Sequence, residues 1–228
     1  MVTDDIHASP ERYFADGFQP QGGSGSCELY LISPPVMADG FIDRLARAFD
    51  AGPVAAFQFR VKDMDQHSAA RLAEPLQALC ADRDVAFIVN DDVSLAKRLG
   101  ADGVHLGQSD GDPADARAIL GPTVQIGVTC HDSRHLAMEA GEAGADYVAF
   151  GSFYPTTTKQ VSHHPDPAIL TWWSQVFELP CVAIGGITPD NARPLVEAGA
   201  DFLAVSGAVW NGDEAEAVRA FTRVLRGE

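Results

Sequence analysis

Basic residues are scarce in this chain, and lysine is the scarcest of them. The 228 residues include three lysines, and 16 basic residues stand against 32 acidic ones, which gives a net charge of −16. Proteins that bind nucleic acid present a broad basic face, so this composition argues against a nucleic-acid partner. Two of the three lysines, Lys62 and Lys159, nevertheless close apolar runs. Their placement indicates a local anion site in an otherwise repelling field.

Long apolar runs and paired cysteines are also missing. No run approaches the roughly 20 apolar residues that a membrane helix needs, and the opening MVTDDIHASPERYF lacks the basic start and apolar middle of a secretory signal. The four cysteines are far apart and form no CxxC pair, which argues against a disulfide framework or a metal cluster. We therefore expect a cytoplasmic protein with reduced thiols and no membrane partner.

The first 26 residues differ in composition from the rest of the chain. They end in QPQGGSGS, a Gly- and Ser-rich composition that is typical of flexible linkers. We therefore predict a flexible N-terminal extension over residues 1–26 and a single folded domain over residues 27–228.

From Cys27 onward, short β-branched or aromatic runs alternate with helical segments. The predicted strands are CELYLIS (27–33), AAFQFRV (55–61), VAFIVN (85–90), GVHLG (103–107), VQIGVTC (124–130), YVAFGSF (147–153), CVAIGG (181–186) and FLAVSGAV (202–209). The segments between them carry apolar residues at three- or four-residue spacing, as in GFIDRLARAFD and DEAEAVRAFTRVLR.

One phrase recurs three times, as LGADGVHLG, AGADYVAFG and AGADFLAVSG. Each predicts a helix that ends near a glycine in the left-handed conformation, followed by Ala-Asp and a strand. Repeated helix-to-strand turns of this kind imply parallel strands with helical crossovers. Eight such units favour an α/β fold of the (β/α)8 TIM-barrel type. The alternative is a doubly wound open sheet, which would carry a Gly-rich loop after its first strand, where this chain has LISPPVMADG.

The carboxyl ends of the predicted strands carry a consistent set of polar residues, and catalytic groups of such barrels project from these ends. Gln58, Arg60 and Lys62 alternate along the second strand, so they share one face. Asp91 and Asp110 follow the third and fourth strands and can share a Mg²⁺ ion, which typically takes one or two carboxylates, water and substrate phosphates. The structural alternative for Asp91 or Asp92 is the N-cap of the helix VSLAKRLG, and we predict Asp92 as the cap and Asp91 as the ligand. The alternative for Asp110 is a loop residue that faces water or caps the helix DPADARAIL.

Cations and glycines at other strand ends complete this set. Arg60, Lys62 and Lys159 can bind an anion that a divalent metal also bridges, since Arg offers a planar donor fork and Lys a point charge. Gly185-Gly186 and Ser206-Gly207 offer backbone amides for a second phosphate in the last two units of the barrel. His105, within the fourth strand, either packs in the core or lines a substrate cavity.

Five segments, taken in order, resemble one known family. They are QFRVK, FIVNDDVSLAKRLGADGVHLGQSD, IGVTCH, DYVAFGSFYPTTTK and CVAIGGITPDNARPLVEAGADFLAVSGAV. From about Leu29 to the C-terminal helix, the chain is similar to thiamine phosphate synthase, also called thiamine-phosphate pyrophosphorylase. The resemblance implies a Mg²⁺-dependent transferase of thiamine biosynthesis. It would join 4-amino-2-methyl-5-hydroxymethylpyrimidine diphosphate to 4-methyl-5-(2-phosphoethyl)thiazole, giving thiamine phosphate and pyrophosphate.

The resemblance also implies roles for individual residues. Mg²⁺ would be bound by Asp91 and Asp110, and the cations Arg60, Lys62 and Lys159 would be catalytic. The residues implied to bind the pyrimidine diphosphate are Gln58, Arg60, Lys62, Asn90, Thr129 and Lys159. Those implied to bind the thiazole phosphate are Thr156, Thr158, Gly186, Ser206 and Gly207.

The chain departs from the family pattern at three places. Thr129 and Gly207 each stand where the family pattern has serine, and QVSHHPDPAILTWW replaces a Gly-rich link after Lys159. Two other functions remain open. One is the thiazole tautomerase of the same barrel family, for which His131 would be the residue of interest, and the other is a non-catalytic paralogue that binds thiamine precursors. The presence of Asp91, Asp110 and Lys159 favours the synthase. The sequence leaves open whether the chain forms a homo-oligomer.

Overall fold

Eight parallel strands close into a barrel, in chain order and with the first strand beside the last. The computed structural model describes residues 27–156 and 163–228. The closed barrel confirms the predicted (β/α)8 fold, and the open-sheet alternative is wrong. The predicted extension over residues 1–26 lies outside the described residues and stays a prediction.

The strands lie within a residue or two of their predicted positions, with one exception. They are β1 (Glu28–Ile32), β2 (Ala56–Phe59), β3 (Ala86–Asn90), β4 (Gly103–Leu106), β5 (Gln125–His131), β6 (Tyr147–Gly151), β7 (Cys181–Ile184) and β8 (Phe202–Val205). The exception is β8, because the sequence extended it to Val209. In the structure β8 ends at Val205, and residues Gly207–Trp210 form a short helix, so Ser206 and Gly207 lie beyond the strand rather than within it.

Helices follow the strands and cover the outside of the barrel. They are α1 (Phe41–Ala51), α2 (Gln66–Ala81), α3 (Val93–Leu99), α4 (Pro113–Leu120), α5 (Arg134–Glu142), α6 (Ala168–Val176), α7 (Pro189–Glu197), α8 (Gly207–Trp210) and α9 (Glu214–Leu225). None of these helices has the length and apolar character that a membrane span requires.

The buried apolar residues form two clusters, one on each side of the barrel wall. The larger cluster lies between strands and helices, and it includes Trp173 of α6 and the four cysteines. Its cysteines are free thiols, and burial raises the pKa of Cys130 to about 12, so they pack as small apolar side chains. The smaller cluster fills the barrel and includes the side chains of Tyr30, Ile88, Tyr147 and Phe202.

The repeated Gly-Ala-Asp phrase has one structural role at three places. The aspartate carboxylate accepts a hydrogen bond from a backbone N–H at or near the start of an odd-numbered strand, and its own N–H donates to the carbonyl of that same residue. The pairs are Asp102 with Phe87, Asp146 with Ile126 and Asp201 with Cys181. The preceding glycines, Gly100, Gly144 and Gly199, have positive φ, as the sequence predicted. Each phrase therefore ends a helix and also attaches the next strand to its neighbour.

The start of α3 decides between the two readings of the Asp91-Asp92 pair. Asp92 accepts a hydrogen bond from the Leu95 N–H at 2.8 Å, so it is the helix N-cap, as predicted. Asp91 has a left-handed backbone with φ of 65° and lies at the end of β3, where its side chain is not used for capping.

Candidate active site

A cavity of about 560 Å³ opens at the carboxyl ends of the strands. Every strand of the barrel contributes to its lining, either from its last residues or from the loop that follows. A volume of this size is ordinary for a small-molecule site. The position is the one at which barrels of this fold place their chemistry.

The structure brings nearly all the sequence candidates to this cavity. Two of them, Thr158 and Lys159, fall within residues 157–162 and lie outside the described residues. The candidates that line the cavity are Gln58, Arg60, Lys62, Asn90, Asp91, Asp110, Thr129, Thr156, Gly186, Ser206 and Gly207.

Two carboxylates from neighbouring strands face each other across one wall of the cavity. Partial burial and the adjacent Asp110 carboxylate raise the pKa of Asp91 to about 6, against the opposing effect of Arg60. The Asp110 carboxylate accepts a hydrogen bond from the Gly107 N–H at 2.9 Å, which fixes it at the start of its loop. Two acidic groups held this close repel each other when both are ionised, and a cation between them would relieve that repulsion.

The donor set suits a hard divalent cation. Within residues 27–156 and 163–228, no group of three or more His, Cys, Asp or Glu side chains could hold a metal. A dedicated protein cage of the kind that binds structural zinc is therefore absent from the described part of the chain. Two carboxylates in the wall of a small-molecule cavity instead fit Mg²⁺, which typically completes its coordination with water and substrate oxygens.

Arg60 is held in place by a serine that the sequence did not single out. The Ser33 hydroxyl donates to the Arg60 carbonyl at 3.0 Å and accepts from the Arg60 N–H at 2.9 Å. The Ser33 carbonyl in turn accepts a hydrogen bond from the Ser206 hydroxyl at 3.3 Å. One buried serine therefore links the arginine side of the cavity to the end of β8. Ser33 directly follows β1, and no pattern in the sequence connects it to residues so far along the chain.

The loop after β7 approaches the loop after β6 very closely. Gly186 has a φ of 64°, and a Cβ at this position would collide with the carbonyl oxygens of Tyr154 and Pro155. Asn191 donates to the Gly186 carbonyl at 3.0 Å, and its side-chain oxygen accepts from the Thr188 N–H at 2.8 Å. Glycine is therefore required for this turn, which presents backbone to the cavity opposite the carboxylates.

Polar side chains continue below the cavity as a hydrogen-bonded row across the barrel. Gln58 Nε2 donates to Tyr30 Oη at 2.9 Å, and Tyr30 Oη lies 3.0 Å from Tyr147 Oη. His105 Nδ1 lies 3.0 Å from Tyr147 Oη, and its Nε2 lies 2.8 Å from Thr129 Oγ1. The sequence offered two positions for His105, one packed in the core and one lining a cavity. The structure shows both, because His105 is buried and also lines the cavity.

A pair of stacked imidazoles lies at the rim. His131 and His163 have ring centroids 4.7 Å apart, and His163 Nδ1 is 3.0 Å from the Asp132 carboxylate. Both histidines line the cavity. His163 lies in the loop between β6 and α6, and its approach to His131 depends on a contact between loops that no local sequence pattern predicts.

The chain is similar to known proteins along most of its length. A model of the thiamine monophosphate synthase family matches residues 29–209. The thiamine-phosphate synthase of Erythrobacter litoralis is 69% identical over 202 residues, which cover 87% of this chain and 95% of that protein. The thiamine-phosphate synthase of Rhodospirillum centenum is 56% identical over 204 residues, which cover 88% and 99%.

A solved structure agrees with this similarity. The thiamine phosphate pyrophosphorylase from Pyrococcus furiosus superposes with a TM-score of 0.78 at 30% sequence identity. The superposition covers 88% of this chain and 96% of that one. The similarity therefore extends over nearly the whole barrel of each relative.

Proposed function

The chain belongs to the thiamine monophosphate synthase family, and on that premise we propose a reaction and a role for each part of its cavity. The enzyme is a transferase that joins 4-amino-2-methyl-5-hydroxymethylpyrimidine diphosphate to 4-methyl-5-(2-phosphoethyl)thiazole. The products are thiamine phosphate and pyrophosphate.

A single observation carries the assignment of the site. One cavity gathers two facing carboxylates, Arg60 and Lys62 on one side and a glycine turn with Ser206 on another. The first group suits a diphosphate with its metal, and the second suits a monophosphate at some distance from it. Arg60 and Lys62 line the cavity beside Asp91 and Asp110, and a diphosphate with its metal would pair with both the cations and the carboxylates.

The diphosphate would lie between the cations and the carboxylate pair. Asp91 and Asp110 would hold Mg²⁺, which when bound neutralises negative charge on the phosphate oxygens. Arg60, Lys62 and Lys159 would contact the same oxygens and stabilise the charge that develops as the leaving group departs. Asn90 and Thr129 would contact the pyrimidine side of the substrate.

The reaction would proceed by dissociation followed by capture. The bond between the pyrimidine methylene carbon and the diphosphate oxygen breaks, and its electron pair leaves with the oxygen. The electron-rich aminopyrimidine stabilises the resulting cation, and the lone pair of the thiazole nitrogen then forms the new bond to carbon. Neither a protein nucleophile nor a strong general base is required, so the contribution of the protein would be positioning and electrostatic stabilisation.

The thiazole phosphate would bind at the other end of the cavity. Thr156 and Thr158 would supply hydroxyl donors, while Gly186, Ser206 and Gly207 would supply backbone amides and a hydroxyl. Gly207 stands where the family pattern has serine, so the backbone amide alone would make this contact.

Pyrophosphate release tests the proposal and separates it from the alternatives. We expect release only when both substrates and Mg²⁺ are present, with thiamine phosphate formed in equal amount. Binding of both substrates without any release would indicate a non-catalytic paralogue. Isomerisation of the thiazole carboxylate phosphate without release would instead indicate the tautomerase, with His131 as the base to test.

A further inference from the structure

The row of buried polar groups under the cavity connects two of its lining residues, Gln58 and Thr129, through the side chains of Tyr30, Tyr147 and His105. Of these three, His105 also lines the cavity. Gln58 and Thr129 line the cavity, while Tyr30 and Tyr147 are buried beneath it. Four consecutive hydrogen bonds of 2.8 to 3.0 Å run from Gln58 through Tyr30, Tyr147 and His105 to Thr129. A continuous series of hydrogen bonds therefore links Gln58 to Thr129.

Packing contacts inside the barrel fix the positions of the side chains in the row. Tyr147 reaches the barrel axis because Gly127 faces it, since a Cβ at Gly127 would collide with the tyrosine ring. The rings of His105 and Tyr147 are stacked with centroids 5.6 Å apart, and those of Tyr30 and Tyr147 meet edge to face at 6.3 Å. Packing of this kind leaves the hydroxyl groups little freedom to find other arrangements.

In one arrangement of the hydrogen atoms, every hydrogen bond of the row donates in the same direction, from Gln58 towards Thr129. The Gln58 amide nitrogen can only donate, so Tyr30 Oη accepts from it. In the arrangement that continues this direction, the Tyr30 hydroxyl donates to Tyr147 Oη, 3.0 Å away. Tyr147 then donates to His105 Nδ1, and the neutral imidazole donates from Nε2 to Thr129 Oγ1. With this direction, Gln58 presents its carbonyl oxygen to a ligand, and Thr129 keeps its hydroxyl hydrogen for one.

If every hydrogen bond in the row ran in the opposite direction, the groups that Gln58 and Thr129 present to the cavity would also change. If Tyr30 donated to the Gln58 carbonyl, the amide would turn and present its NH₂ group to the cavity. An amino group on a bound ring needs an acceptor, whereas a carbonyl on the same ring carbon needs a donor. A Gln58 side chain held as an acceptor therefore favours a ring with an amino group at the position that faces it, whereas one held as a donor favours a ring with a carbonyl there.

We propose that Tyr30, Tyr147 and His105 are positioning residues that hold Gln58 as an acceptor and Thr129 as a donor, and so select a 4-aminopyrimidine over its 4-oxo analogue. The assignment of the ring rests on the proposed function, while the direction of the row does not. A site that pairs a specific substrate group in this way rejects an analogue that leaves buried polar groups unpaired.

The first test measures the direction of the row without substrate. Long-range ¹H–¹⁵N NMR spectra of the full chain distinguish the two neutral tautomers of histidine, and the His105 signals are assigned by their loss in His105→Asn. We expect His105 to carry its hydrogen on Nε2 at neutral pH. A hydrogen on Nδ1, or on both nitrogens, would overturn the proposal whatever the enzyme's activity.

The second test measures selectivity. The ratio of kcat/KM for 4-amino-2-methyl-5-hydroxymethylpyrimidine diphosphate to that for its 4-oxo analogue is compared between the wild type and Tyr147→Phe. Removal of the Tyr147 hydroxyl frees the Tyr30 hydrogen to turn to Gln58, so we expect the ratio to fall about tenfold or more. Both substrates are measured on one preparation, so partial loss of folded protein does not change the ratio.

A matched variant controls for the loss of a tyrosine hydroxyl elsewhere. Tyr154 Oη donates to the Asn191 carbonyl at 2.8 Å and takes no part in the row. Tyr154→Phe is expected to keep the wild-type ratio. A Tyr147→Phe ratio equal to that of Tyr154→Phe would overturn the proposal. Absence of turnover in the wild type with either pyrimidine would contradict the proposed function instead, and the NMR result would still decide the direction of the row.

Discussion

At the scale of single residues, the cations and carboxylates of the cavity could be anticipated and the buried row could not. Gln58, Arg60, Asp91 and Asp110 stand at strand ends that the alternation of the sequence identifies, and parallel strands place those ends together. The Tyr30–Tyr147 contact joins residues 117 positions apart and depends on the closure of the barrel. No local pattern carries that information.

Removal of single charges from the diphosphate site should reduce turnover sharply. Lys159→Ala and Asp91→Asn are each expected to lower kcat/KM by about 3 kcal/mol, roughly a hundredfold, since single electrostatic donors have effects of this size. Steady-state pyrophosphate release measures the change. Lys97→Ala is the matched control for lysine, because Lys97 is exposed on α3 outside the cavity. Near-normal turnover in either variant would mean that the diphosphate lies elsewhere.

Glu28 should make the stability of the protein depend on pH. It begins β1 on the face that Tyr30 and Ile32 share, and its Oε2 atom is buried and has no hydrogen-bond partner among the described residues. Burial raises the pKa of Glu28 from 4.5 to about 7. The folded protein therefore holds this proton more tightly than the unfolded chain does. The resulting stabilisation is complete below about pH 4.5 and is lost as the pH rises through about 7.

Glu28→Gln removes this dependence. We expect the variant to match the wild type near pH 4.5 and to exceed its free energy of unfolding by about 1 kcal/mol at pH 8, after allowance for partial solvent exposure. Urea unfolding at several pH values measures the difference. Glu178→Gln, at an exposed position, should show no such trend. A constant difference between Glu28→Gln and the wild type across this range would contradict the account.

At the scale of elements, the strands were predicted well because each is a short apolar run between polar turns. The end of β8 was missed, since FLAVSGAV reads as continuous strand and only the Ser206-Gly207 pair marks its end. The Gly-Ala-Asp phrase was recognised as a helix end, whereas its second role became visible only in the structure. An aspartate side chain reaches across to another strand there, and spacing alone does not specify that partner.

The aspartate of this phrase should contribute measurably to stability. Asp201→Ala leaves the Cys181 N–H without its acceptor at the start of a buried strand. The expected loss is about 1–3 kcal/mol in the free energy of unfolding, from urea denaturation with an unchanged m-value. Asp39→Ala, at an exposed position in the loop before α1, serves as the control. Equal effects of the two substitutions would show that the Asp201 contact adds nothing specific.

At the scale of the whole molecule, eight repeated units were enough to predict a closed barrel. The relatives match most of residues 27–228, and the family model covers residues 29–209. We therefore propose that residues 27–228 are the catalytic domain. Deletion of residues 2–26 is expected to change kcat/KM by no more than roughly twofold, as measured by pyrophosphate release. A tenfold or greater decrease in kcat/KM would indicate that residues 2–26 contribute to the active site.

The location of bound pyrophosphate tests the central claim most directly. A crystal structure with pyrophosphate and Mg²⁺ should place the anion between Arg60, Lys62 and Lys159, with the metal bridging it to Asp91 and Asp110. Pyrophosphate bound instead at the Gly186 and Ser206 end of the cavity, with no metal at the two aspartates, would contradict the account.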